Sequence, residues 1–236
     1  MARLARVVAV GVPHHVTQRG NDRQTVFETD LDRVHCMEAL RFHCQQQQIS
    51  LLGYCLMSNH VHLVAVPHSP AALAQGLGRA HYDYARGFNR RHQRSGHLWQ
   101  NRFYSCPLSG KHLRLALRYV DLNPVRARLV EQASDYAWSS ARAHITGCDP
   151  LDLLDAKAWE VLDLRPDWGD CLRAAEPSDN ELLLRQSTYS GRPLGDRDFL
   201  RQLEVQLRRR LWTRGPGRPC NGCKEQAHAA GALNAP

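Results

Sequence analysis

His60 and His62 are the sharpest chemical feature of the sequence, because their spacing matches the period of a β-strand. Side chains alternate across a strand, so residues two apart stand on one face with β-carbons roughly 6–7 Å apart, within reach of one metal ion. Val61, Leu63 and Ala65 then point the other way and can enter a core. A His-x-His pair also arises by chance, and two exposed imidazoles need no metal. Tyr119 and Asn123 are the second feature: four residues apart, they share one face of a helix whose packed side is supplied by Leu113, Leu117 and Val120. If that face lies over the histidine strand, a phenol, an amide oxygen and two imidazoles converge. Plainer roles compete with this one. Tyr119 serves equally as a half-buried aromatic with a wet hydroxyl, and Asn123-Pro124 is a good N-cap and first-turn pair for a short helix.

The charge of the chain says what such a site would meet. The 236 residues carry a formal net charge of +8, and the excess is uneven: residues 1–150 hold 18 bases and 10 acids, residues 151–236 hold 13 of each. Residues 79–128 alone carry 11 bases against Asp83 and Asp121. A long polyanion is the natural partner of such a segment, and a merely solvated basic face is the alternative. A second basic run, Arg201, Arg208, Arg209, Arg210, Arg214 and Arg218 with only Glu204 opposing, suggests a further nucleic-acid contact near the C-terminus. Apolar types make up 43% of the chain, and no run approaches the roughly 18 uncharged residues of a membrane span. Residues 1–12 lack the longer apolar core of a secretory signal, so a cytoplasmic protein is expected. Of the eight cysteines, the first four (Cys36, Cys44, Cys55, Cys106) sit among apolar neighbours as reduced, buried thiols. Cys220 and Cys223 form a CxxC, but His228 is the sole nearby candidate for a further zinc ligand, which argues against a zinc site.

The elements that must position these residues follow from periodicity. Residues 7–17 are β-branched and read as a strand interrupted near Gly11 and Pro13; residues 49–57 and the run HVHLVAV are two strands closed by a Ser58-Asn59 turn, hence antiparallel neighbours. Residues 30–46, with Leu31, Val34, Met37, Leu40 and Phe42, form an amphipathic helix, as do residues 71–88 and 111–122, the last ended by Pro124. A short strand runs around 103–108. The order predicts an α+β fold, a mostly antiparallel sheet of four to five strands with helices on one side. Beyond residue 140 the texture becomes acidic and then helical, with a turn at 191–193 and a stretch, 213–219, that can form neither helix nor central strand. The expected division is a catalytic domain at 1–145 and a helical accessory region with a basic flexible tail at 146–236, removable near residue 148 with some chemistry retained.

Three blocks in order, YCLMSNHVHLV, FNRRHQRSGHLWQNRFYS and LRYVDLNPVRARLV, followed by YAWSSA, resemble the REP-associated tyrosine transposases, relatives of the IS200-like transposases in the HUH superfamily of single-strand endonucleases. The resemblance spans about residues 7–145, and SGRPLGDRDFL and RGPGRP are similar to the tail of longer members. It implies a ferredoxin-like HUH palm in which His60, His62 and Asn123 bind a divalent cation, Mg²⁺ or Mn²⁺, and Tyr119 is the nucleophile. The neutral ligand set would leave the ion its full charge for polarising a phosphate. The chemistry implied is nicking and rejoining of single-stranded DNA hairpins from repetitive palindromic elements through a 5′-phosphotyrosine, by a monomer or homodimer associated with the nucleoid. Arg90, Arg91, Arg94, Arg102, Arg118 and Arg126 are the expected DNA contacts, and Trp99 or Phe103 could stack on an unpaired base or belong to the core. A non-catalytic DNA-binding or regulatory module, and a metal-dependent nuclease using water, are the alternatives.

Overall fold

A computed structural model describes residues 6–161, 167–174 and 178–211. Four strands, β1 (His14–Arg19), β2 (Ile49–Met57), β3 (His60–Pro67) and β4 (Tyr104–Pro107), form one sheet in the order β2-β3-β1-β4 with every neighbouring pair antiparallel. The α+β class and the strand number are those expected. β1 starts later than the pattern of residues 7–17 suggests, because Gly11 takes a left-handed turn (φ 74°) and Pro13 follows it.

The helices lie on both faces of the sheet, a wider distribution than the one-sided cover expected. On one face, α1 (Asp30–Gln46) and α2 (Ala72–Arg91) pack Met37, Leu40, Leu73, Leu77 and Phe88 against Val16, Val61, Leu63 and Ala65. Helix α1 starts at a capping box: the Thr29 hydroxyl accepts from the Asp32 amide at 3.2 Å, and the Asp32 carboxylate accepts from the Thr29 amide at 3.0 Å. Its inward ridge is Cys36, Met37, Leu40 and Cys44, whereas Leu31, Val34 and Phe42 are exposed. Small thiols at 36 and 44 lie on the same helical stripe as Met37 and Leu40, and all four N-terminal cysteines are buried free thiols.

The second face is covered by α3 (Gly110–Asp121), the short α4 (Asn123–Arg126) and helices drawn from the chain beyond residue 140: α5 (Ala141–Thr146), α6 (Ala156–Val161), α7 (Trp168–Arg173), α8 (Ser178–Ser190) and α9 (Arg197–Leu207). Trp159, Trp168, Leu172, Leu184 and Leu194 enter the same core as Val64, Val66, Leu113 and Leu117. The described part of the region after residue 145 thus completes this core instead of building one of its own. At its centre the fully buried Asp121 accepts from Ser140 Oγ at 2.8 Å, from His144 Nδ1 at 2.7 Å and from Trp168 Nε1 at 2.9 Å. That network fixes the C-terminal end of α3, and it gives the second serine of the YAWSSA block, Ser140, its partner. Gly191 (φ 70°) makes the expected turn between α8 and α9.

Candidate active site

The β3 alternation does what its spacing implied: Val61 and Leu63 enter the core under α1 and α2, while His60 and His62 face α3. Antiparallel pairing sets Thr17 beside His62 and Arg19 beside His60 on β1, with Cys55 and Met57 beside them on β2. The end of α3 lies over this patch, so His60, His62, Tyr119 and Asn123 line one cavity of about 310 Å³. The Tyr119 ring meets the His62 ring edge-on at 5.4 Å between centroids, and His60 meets His62 edge-on at 4.9 Å. Asn123 does not cap α4, whose N-cap is Leu122 with no side-chain bond; its buried Nδ2 has no partner and it faces the cavity.

Two groups that the sequence reading did not single out complete the cavity. The His15 ring is nearly parallel to that of His62 (interplanar angle 8°), its Nε2 lying 3.1 Å from His62 Nδ1, and it meets Tyr119 edge-on at 5.7 Å. The strand period offered a signal for it, since residues 15, 17 and 19 share the face opposite Val16. The other group is one stripe of α8: Glu181, Arg185, Thr188 and Tyr189 line the cavity wall. Their spacing of four, seven and eight residues is that of a single helical face, a polar stripe with no chemical motif to mark it.

Burial dominates the electrostatics. It lowers His15 to about 3 and His60 to about 4, and it takes His62 well below the usual imidazole range, each helped by neighbouring positive charge. Three neutral imidazoles therefore stand together at neutral pH. Burial also raises the Tyr119 hydroxyl, opposed by Arg126 and Arg185. The Arg126 guanidinium lies 4.1 Å from the Tyr119 ring centroid, donates to the Tyr119 carbonyl and pairs with Glu181 at 2.8 Å. Among the described residues no three His, Cys, Asp or Glu side chains form a metal cluster. A cation here would be held by two histidine nitrogens, the Asn123 amide oxygen and water, a set of neutral nitrogen and oxygen ligands that suits such an ion.

The expected DNA-contacting arginines separate into four groups. Arg126 lines the cavity with Tyr119, as described. Arg118 is turned inward, donating to the carbonyls of Cys171 (2.6 Å) and Ala174, so it ties α3 to α7 instead of facing a phosphate. Arg91 donates to Asp32 at 3.0 Å, and Arg94 engages Gln24 and Glu28, so both brace the turn after α2. Arg90 and Arg102 are exposed. Arg102 lines a second, larger cleft of about 780 Å³ with Arg86, Tyr82, Trp99 and Phe103. Trp99 and Phe103 prove to be both core and cleft wall, since their rings also pack against the first core. Cys220, Cys223, His228, Arg214 and Arg218 lie outside the described residues.

Residues 10–123 match the model of the family described as "Transposase IS200 like". Among solved structures, one described as a REP-associated tyrosine transposase bound to a REP hairpin is 19% identical, with a TM-score of 0.51 over 66% of this chain and 94% of that one. A candidate transposase from Deinococcus radiodurans R1 is 18% identical, with a TM-score of 0.36 over 50% of this chain and 94% of that one. No curated protein matches the chain.

Proposed function

We propose that this protein is a transposase of the IS200-like kind, whose family model residues 10–123 match, and that it nicks and rejoins single-stranded DNA with Tyr119 as its nucleophile. The observation that carries the reading is the meeting of Tyr119, His60, His62 and Asn123 in one cavity with Arg126 over the phenol ring. His60, His62 and Asn123 would hold a divalent cation, Mg²⁺ or Mn²⁺, which would supply Lewis-acid polarisation of the scissile phosphate. Arg126 and Arg185 work against the burial that keeps the phenol protonated, and so favour the phenolate. In the step itself the Tyr119 Oη–P bond forms as the P–O3′ bond breaks. The phenolic proton is balanced by the one taken up at the departing 3′ oxygen. A 5′-phosphotyrosine and a free 3′-hydroxyl result, and attack by a 3′-hydroxyl reverses the step, joining DNA without an energy-rich cofactor.

The 780 Å³ cleft sits across β1 from the catalytic cavity, with Gln18 on its wall while Thr17 and Arg19 line the other. Exposed Arg102 and Arg86, beside Tyr82 and Trp99, give it the basic rim and aromatic wall that suit an unpaired strand. Hairpins of repetitive palindromic DNA are the proposed substrates, supported by the hairpin described with the structural relative. No helix among the described residues is long and apolar enough to cross a membrane. A location at the nucleoid, as monomer or homodimer, fits this role.

The test is a covalent one. The protein is incubated with Mn²⁺ and single-stranded hairpins labelled on the 3′ fragment, then denatured, and label migrating with protein is sought. Tyr119→Phe keeps the ring and its packing and should lose both adduct and cut while holding DNA within a few fold. A free 5′-phosphate with no adduct would indicate water as nucleophile. An adduct mapped to Tyr189, which lines the same cavity, or to Tyr104 would overturn the assignment of Tyr119.

A further inference from the structure

The cavity histidines sit at the ends of two hydrogen-bond chains, each terminated by a main-chain carbonyl, which can only accept. In the first chain Thr188 Oγ1 donates to the Leu184 carbonyl at 2.8 Å, which commits its single hydrogen. With the hydrogen so placed, its lone pairs face His15 Nδ1 at 2.7 Å and Cys106 Sγ at 3.3 Å, and both donate to it. A neutral imidazole carries one N–H, so His15 Nε2 is left as an acceptor and His62 Nδ1, 3.1 Å away, donates to it. His62 Nε2 is thereby the bare nitrogen. In the second chain Asn59 Nδ2 donates to the Arg23 carbonyl at 3.2 Å, which turns Asn59 Oδ1 toward His60 Nδ1 at 2.6 Å. An amide oxygen only accepts, so His60 also carries its proton on Nδ1 and leaves Nε2 bare.

We propose that Thr188, His15 and Asn59 are positioning residues that preset both cavity histidines to bind a divalent cation through Nε2, making α8 part of the cation site. This rests on the reading of His60 and His62 as cation ligands. The polarity of the longer chain is fixed by a carbonyl of α8, beyond the segment that matches the family. Thr188 and His15 are each 1% exposed, so no water competes for their bonds. Without the Thr188 acceptor, His15 gains nothing by keeping its proton on Nδ1. It can donate from Nε2 to His62 instead, and His62 would then present an N–H to the cation in place of a lone pair. Partners of this kind hold the ring and its tautomer, and their loss costs ~10–100-fold in metal affinity.

Long-range ¹H–¹⁵N spectra of the metal-free, ¹⁵N-histidine protein read the tautomers directly, and the expected result is Nδ1–H on His15, His60 and His62. Thr188→Val keeps the shape but deletes the acceptor. It should move the His62 proton to Nε2 and weaken Mn²⁺ binding, measured by calorimetry, by ~10–100-fold, whereas Thr188→Ser should restore both. Nε2–H on His62 in the wild-type spectrum overturns the relay, and this needs no variant to fold. Unchanged tautomers and unchanged Mn²⁺ affinity in Thr188→Val do the same while leaving the cation site standing. Wild-type protein with the expected tautomers but no Mn²⁺ binding overturns the cation reading itself, and the spectra tell that failure from the other.

Discussion

Cutting the chain after residue 148 is the perturbation on which sequence texture and structure differ most. The change of composition near residue 146 suggests a removable appendage, but five side chains from beyond the cut lie in the second core. Trp168 is 1% exposed, Leu184 0% and Trp159 3%, with Leu172 and Leu194 also buried. Burial of a large apolar side chain stabilises by about 1.5–3 kcal/mol, so the five together contribute roughly 8–15 kcal/mol. That equals the whole net stability of an ordinary domain, about 5–15 kcal/mol. Asp121 also loses the Trp168 indole, and His15 loses Thr188. A 1–148 fragment is therefore expected to lack a cooperative thermal transition by circular dichroism and to bind an apolar dye through the uncovered Val64, Val66, Leu113 and Leu117. Nicking activity should vanish with the fold. A fragment that melts cooperatively and still forms the tyrosine adduct would refute the reasoning and restore the appendage view.

Asp32 gives a pH prediction. Burial pushes its carboxyl up, but hydrogen bonds from His92, Arg91 and the Thr29 backbone outweigh that and hold it at about 2, against an ordinary value of 3.8. Because the folded value is depressed, its contribution is present above pH 4 and is lost as pH falls toward 2. Asp32→Asn should cost about 1–3 kcal/mol at pH 7 and flatten the acid limb of a urea-denaturation series, and an unchanged acid limb would count against the network. Arg118 and Arg102 make a contrasting pair: Arg118→Ala should lower the melting temperature, since two carbonyls lose their donor. Arg102→Ala should leave melting alone and reduce the slope of log affinity against log salt for single-stranded DNA by about 1. The opposite pattern in fluorescence anisotropy and melting would reverse the two assignments.

The parts of the fold legible in the sequence were those set by local period. The His60/His62 face, the hairpin at Ser58-Asn59 and the α3 face carrying Tyr119 all follow from alternation of two or spacing of four, and the structure realises each. Tertiary partnership was not legible. The face of α1 was read from Leu31, Val34, Met37, Leu40 and Phe42, yet Leu31, Val34 and Phe42 face solvent. The inward stripe joins Met37 and Leu40 to the thiols Cys36 and Cys44 already expected to be buried, because position on the stripe outweighs side-chain hydrophobicity. Arg118 looked like one more base in a basic run, and only the approach of α7 shows where its guanidinium goes. The α8 wall was invisible for the same reason: Glu181, Arg185 and Thr188 acquire meaning only once α8 lies against β1 and α3.

The link between core and chemistry explains why local period reached the site at all. A strand displaced by one residue turns every side chain to the opposite face. In β3 that slip would drive His60 and His62 into the core under α1 and α2 and bring Val61 and Leu63 into the polar cavity. Both faces of the strand are buried, so the error would be costly on each side at once: unpaired imidazoles under the helices and valine in place of histidine beneath Tyr119. The packing of Val61, Leu63 and Ala65 on one face with Val64 and Val66 on the other holds the register. The same packing therefore sets where the two Nε2 atoms stand, and a core substitution that loosens β3 should disturb the cavity before it unfolds the chain.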